Sequence, residues 1–169
     1  MVKPKVLKFE DIVDFIKGFD SKTLKLYENY KGLSIKFDKN EYLLKGDDYE
    51  NFLGIVNYIL PHMNKIESLE IKSRFYNEID YSFLIKKPKT LKKLYIDHLN
   101  GLSPKFANNL NYLEVSIIYS DDIIEKYENG EIYKNIKKIL FLEGEDSLDE
   151  LDDISIQDVF PNSKITFDD

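Results

Sequence analysis

Apolar and polar residues alternate with two periods along this chain, and the change of period marks the elements. Phe9, Ile12, Val13 and Ile16 recur at helical spacing, so they form one stripe of a helix. Phe15 lies off the centre of that stripe and widens it at one edge. Glu10 and Asp11 fall in the first turn, where carboxylates complement the helix dipole, and Gly18 supplies a stop. The period then shortens to two. Leu24 and Leu26 alternate with polar residues, as do Leu33, Ile35 and Phe37. Asp38-Lys39-Asn40 reads as a turn and 41–44 as a return strand, so residues 1–46 are expected to form an αβββ unit with an antiparallel hairpin. Asp47 and Asp48 open a second helix, whose Tyr49, Phe52, Leu53, Val56 and Leu60 share a face and which Pro61 ends.

From there the chain repeats itself. Ile66-x-x-Leu69-x-Ile71, Leu91-x-x-Leu94-x-Ile96, Leu110-x-x-Leu113-x-Val115 and Ile136-x-x-Ile139-x-Phe141 share one pattern, and Ile165-x-Phe167 after Phe160-Pro161-Asn162 is a degenerate fifth copy. Between them lie helix-like stretches: Ile79 and Phe83 before Pro88, then Ile123, Ile124 and Tyr127 before Gly130, then Leu148, Leu151 and Ile154. The two alternating apolar residues of each copy point to one side of a strand, and the leading one covers the same core from the preceding turn. One such strand cannot bury that side alone. Stacked strands joined by crossovers can, and this gives a parallel sheet with right-handed connections.

These segments resemble leucine-rich repeats, over Ile66 to Asp169. The family pattern ends in an asparagine at the ninth position. Here that position holds Arg74, Leu99, Ile118 and Gly144, so the asparagine ladder is missing. The resemblance implies an α/β fold: a short right-handed leucine-rich-repeat-like solenoid with a parallel sheet, preceded by an N-terminal helix and a small β-meander cap. Residues 1–46 would form the cap and 47–169 the solenoid, within one cooperative domain. An acidic helix near 146–158 and the last strand would close the other end.

Composition narrows the functions. The 169 residues suit one domain with a core, and the 33% charged, 43% apolar content is that of a folded chain. With no Cys, disulfides and thiolate metal sites are excluded. No leader-like or membrane-length apolar run occurs, so a cytoplasmic location is expected. Net charge is −7, and residues 143–169 carry −9 of it, with ten carboxylates against Lys164. That end argues against nucleic-acid binding, since phosphate contacts need clustered cations.

Candidate chemistry is thin. His62 and His98 lack the companion spacing of a zinc site. No phosphate-cradling glycine loop and no nucleophile elbow is present. In 146–153 the leucines break the alternation of an EF-hand loop, so a solvated helix face is expected and no metal or cofactor. With 31 acids, abundance gives no ground for naming a catalytic pair.

The strand faces say more. If Leu69 and Ile71 point inward, Ser68, Glu70 and Lys72 point outward. The same parity exposes Lys93, Tyr95 and Asp97, then Tyr112, Glu114 and Ser116, then Lys138, Leu140 and Leu142. Tyrosine and leucine ringed by charge are typical of an interface centre. The expected binding residues are therefore Glu70, Lys72, Lys93, Tyr95, Asp97, Tyr112, Glu114, Lys138, Leu140 and Leu142. The expected function is non-enzymatic: a protein-interaction module, of inhibitor or antidote type, with an unidentified protein partner and no nucleic acid, membrane or small-molecule ligand. The alternative is a small hydrolase-like enzyme with an acid/His site built around His98.

Overall fold

A computed structural model of the chain describes residues 4–37, 46–73, 79–143 and 154–168. Its framework is a seven-stranded, all-parallel sheet in which each strand pairs with the next in chain order. The strands are β1 (Val6–Phe9), β2 (Gly32–Lys36), β3 (Ser68–Lys72), β4 (Lys93–Ile96), β5 (Tyr112–Ile117), β6 (Lys138–Glu143) and β7 (Lys164–Phe167). The helices are α1 (Ile12–Gly18), α2 (Leu24–Tyr27), α3 (Gly46–Ile59), α4 (Ser120–Glu128) and α5 (Ile156–Val159). Two 3-10 segments, Leu60–His62 and Tyr81–Lys86, complete the described elements.

One register runs through all seven strands. Leu7, Leu33, Leu69, Leu94, Leu113, Ile139 and Ile165 are successive partners, and Phe9, Ile35, Ile71, Ile96, Val115, Phe141 and Phe167 form the parallel row two residues on. From β2 to β6 both rows are buried. The leading residues Ile66, Leu91, Leu110 and Ile136 are fully buried beside them. The repeat pattern thus marks strands where expected, and it extends to two strands that the sequence reading did not assign to this sheet. Before each of β2 to β6 the ladder is prolonged by a backbone bond: the N–H groups of Lys31, Glu67, Lys92, Asn111 and Lys137 each donate to the preceding unit at 2.7–3.0 Å.

The apolar faces of the helices close the core over the inward rows. Phe15 packs edge-on against Phe9 at 4.5 Å and Phe52 at 5.8 Å, and Phe52 in turn meets Phe37 at 5.2 Å and Phe83 at 6.4 Å. At the other end Tyr133 stacks on Phe160 at 4.8 Å, and Phe141 on Phe167 at 5.4 Å. Asp11 caps α1 by accepting the Asp14 backbone N–H. Ser155 and Asp158 form a reciprocal capping box on α5. After β4 the chain turns at Gly101, whose φ of 73° is left-handed and where a Cβ would sit 2.3 Å from the Ile79 carbonyl oxygen.

The N-terminal unit differs from expectation. Leu24 and Leu26 lie on α2, a helix, and the strand that precedes α1 was not foreseen. Leu33 and Ile35 do belong to a strand, with Phe37 one residue past its end, but β2 lies parallel between β1 and β3. The expected helix-plus-meander cap is therefore not what the described residues form. The hairpin at Asp38-Lys39-Asn40 and its return strand lie outside the described residues, as do Leu148, Leu151 and most of the acidic segment near 146–158. Phe9 sits in β1 and leaves the helix stripe, whose deepest members are Ile12 and Phe15. The missing ninth-position asparagines have a counterpart at the opposite strand end. There Asn135 Nδ2 donates to Asn108 Oδ1 at 3.2 Å, and Asn162 Nδ2 donates to the Lys134 carbonyl at 3.0 Å.

Leu113 and Ile139 occupy the middle of the inward row with no exposed surface. Truncating either to Ala should cost roughly 2–5 kcal/mol in chemical denaturation, and a loss below about 1 kcal/mol would contradict the row. Removing residues 1–45 strips β1 and β2 from the sheet together with α1 and α2, and it takes Phe15 and Phe37 away from Phe52. The product should aggregate or unfold without cooperativity, whereas a soluble fragment with a sharp transition would show that the rest stands alone.

Candidate interaction site on the outward sheet face

The shared register sets two outward positions on every strand and a third near the ends of the longer ones. The middle column runs Lys8, Ser34, Glu70, Tyr95, Glu114, Leu140 and Thr166. The column at the start of the strands runs Val6, Gly32, Ser68, Lys93, Tyr112, Lys138 and Lys164. Towards the strand ends lie Lys72, Asp97, Ser116 and Leu142. Nine of the ten expected site residues keep some exposure: Lys93 and Lys138 are exposed, and Glu70, Lys72, Tyr95, Tyr112, Glu114, Leu140 and Leu142 are half-buried.

Neighbouring strands bring the two tyrosines together. Their ring centroids are 5.6 Å apart, tilted by 51°. Tyr112 donates its hydroxyl to Glu114 Oε2 at 3.0 Å, and its ring lies between the ammonium groups of Lys93 at 6.0 Å and Lys138 at 5.7 Å. Ser34 donates its hydroxyl to Glu70. Burial, followed by the neighbouring carboxylates Glu114 and Glu70, raises the Tyr95 pKa. Burial and the bond to Glu114 raise that of Tyr112. Both phenols therefore stay neutral, and the centre of the face is an amphipathic patch with fixed hydrogen bonds.

Asp97 is the exception among the expected residues. It is only 8% exposed. β4 ends at Ile96 and the backbone bends, so parity no longer sends the next side chain into solvent. Lys72 Nζ lies 3.8 Å from Asp97 Oδ1 and donates to Ser116 Oγ at 2.7 Å. Asp97 Oδ2 is buried with no hydrogen-bond partner among the described residues. Burial raises the Asp97 pKa against the opposing pull of Ser116, Lys72, His98 and the Ser73 backbone.

A second carboxylate escaped the sequence reading. Asp122 on α4 is 5% exposed, and its Oδ2 also lacks a hydrogen-bond partner among the described residues. Its pKa is raised by burial, and by Glu125 to a lesser degree. The Tyr119 backbone, His98 and Lys126 oppose the shift. No apolar stripe marks it: on α4 Asp122 shares its buried side with Lys126 one turn on, so the local pattern reads as polar. His98, stacked on Tyr119 at 6.2 Å, thus interacts with both acids, whereas His62 is exposed beside Tyr58. Among the described residues no group of three or more His, Asp or Glu is arranged to hold a metal ion. A groove of about 360 Å³ opens elsewhere, lined by Lys105, Asn108, Ile132, Lys134 and Asn135 among others. Neither Asp97, His98 nor Asp122 lines it. No helix among the described residues is long and apolar enough to cross a membrane.

No protein-family model matches the chain, and neither a curated protein nor a solved structure matches it.

The raised pKa values carry a sign. A carboxylate whose folded-state pKa exceeds its unfolded one binds more protons folded than unfolded between the two values, so stability falls as pH rises through that window. The thermal midpoint should therefore climb as pH is lowered from neutrality towards the ordinary carboxylate range. In the double variant Asp97→Asn with Asp122→Asn that climb should flatten, and the midpoint at neutral pH should rise. Parallel pH profiles of the two proteins would refute the shifts.

Proposed function

We propose that this chain is a binding module: a short leucine-rich-repeat-like solenoid whose outward sheet face recognises a protein partner. The supporting observation is the half-buried Tyr95–Tyr112 pair at the centre of a continuous parallel sheet, framed by Lys93, Lys138, Glu70 and Glu114. Interfaces of this kind draw their energy from large rings that lose little entropy, within a polar rim that excludes water. Leu140, Leu142 and Lys72 extend the face, and Asp97 acts beneath it by holding Lys72. An inhibitor or antidote that masks another protein in the cytoplasm is the role that suits a small chain with such a face.

The rival reading is a hydrolase-like enzyme, and one observation favours it: two buried acids with raised pKa values flank His98. A substrate cavity lined by those groups would favour it. The binding reading is preferred for the ring pair and its charged frame on the outward face.

Affinity purification from the native cell with mass spectrometry, followed by titration of the recovered partner, tests the proposal. Tyr95→Ala combined with Tyr112→Ala should weaken that binding by about 2 kcal/mol or more. The thermal midpoint should fall only modestly, because both rings stand on the outer face. Undiminished affinity would remove the site from this face.

A further inference from the structure

We infer that the N-terminal border of strands β4–β7 is a docking strip for an acidic, extended segment of the partner protein. This inference rests on the reading of the outward face as a protein-binding surface, and it names the partner's chemistry. The last residue before each strand and the first within it are Lys92-Lys93, Asn111-Tyr112, Lys137-Lys138 and Ser163-Lys164. Five of these eight residues are lysine and none is a carboxylate. Lys93, Lys137, Lys138 and Lys164 are exposed. Among the described residues none of the five takes part in an ion pair, whereas Lys31, Lys72 and Lys126 do. The loops that feed β5 and β6 continue the charge: their groove has Lys105 and Lys134 in its walls, no carboxylate, and the 42% exposed Ile132.

This positive border belongs to a chain of net charge −7. Cations gathered at one edge of an acidic protein are a local field that draws in a short anion. Neighbouring strands lie about 4.8 Å apart, so Lys93 to Lys164 covers about 14 Å, the length of roughly five extended residues. Tyr112 stands between the lysines with its hydroxyl already given to Glu114, which leaves the ring as the contact for an apolar side chain set among carboxylates. A nucleic acid fits less well. The strip has no arginine to grip phosphate bidentately, and a long polyanion running past it meets the repulsion of the whole chain.

Fluorescence anisotropy on the full chain tests the strip. The probes are a labelled glutamate peptide of about eight residues, a lysine peptide and an oligothymidylate of equal length. The glutamate peptide should bind at low salt and be released as salt approaches about 0.5 M. The triple variant Lys93→Gln, Lys138→Gln, Lys164→Gln should weaken it by about tenfold or more. A control carrying Lys17→Gln, Lys25→Gln and Lys86→Gln should bind like the parent, and all three proteins should melt alike. Absence of glutamate-peptide binding, equal affinity of the triple variant and the parent, or tighter binding of the oligothymidylate would each overturn the inference. If the strip fails while the tyrosine pair still governs binding of the recovered partner, the face remains the site and only the acidic partner is lost. If both fail, the face itself is lost.

Discussion

The structure depends on one constraint: seven short strands hold a single register. Parallel strands of four to six residues have little hydrogen-bonding capacity of their own, and each carries an apolar row that a lone strand cannot bury. Alignment of Leu7, Leu33, Leu69, Leu94, Leu113, Ile139 and Ile165 solves both problems together, since each strand supplies the ladder and part of the apolar surroundings of the next. A slip of one residue would turn Leu113 and Val115 outward and bring Tyr112, Glu114 and Ser116 against the aromatic core. Burying a carboxylate there costs several kcal/mol, so the register is held by what it keeps out as much as by what it encloses.

The same register explains which parts were legible in the sequence. For β3 to β6 a branched aliphatic residue stands three places before the first inward residue, and that regularity exposed four strands and their facing. The first two units carry Pro4 and Tyr30 at that place, and Phe9 also falls at helical spacing from Ile12 and Ile16, so the helical period concealed β1. Leu24 and Leu26 show the limit of a two-residue alternation. In α2 the spacing of i and i+2 places Leu26 outward, 60% exposed, while Tyr27 turns into the core and donates its hydroxyl to the Gly18 carbonyl. A four-residue helix is too short for its period to be told from a strand.

The outward face was legible wherever a strand continued and illegible where it stopped. Parity placed Tyr95, Tyr112 and Glu114 correctly, since both flanks of each lie in the ladder. It misplaced Asp97 one residue beyond the end of β4. There the side chain's position is set by Lys72 and Ser116, which are 25 and 19 residues away in the chain and invisible to a local pattern. Asp122 needed still more, because its burial depends on α4 packing over the sheet. The contact between the tyrosine rings was implicit in the repeat, whereas the cation-rich border required knowing that Lys93, Lys138 and Lys164 share one row across β4 to β7.

Two kinds of charge placement therefore coexist, with opposite energetic character. Asp97 and Asp122 are buried with an unpartnered oxygen each, and their raised pKa values mean that the folded state is strained by their ionisation. The lysines of β4, β6 and β7 are solvated and impose almost no strain, yet they give up the stabilisation that an interspersed carboxylate would add. Neither arrangement serves folding. The first is confined to the ends of β4 and the start of α4, where Lys72, Ser116, His98 and Lys126 partly offset it. The second spans the sheet at a constant height and surrounds an aromatic pair. Strain enclosed within the protein offers a partner no surface, whereas a row of cations that makes no ion pair among the described residues, beside half-buried rings, is open to anions from another molecule. That asymmetry supports the proposed binding role of the lysine-bordered face, and it leaves Asp97 a part in holding Lys72 in place.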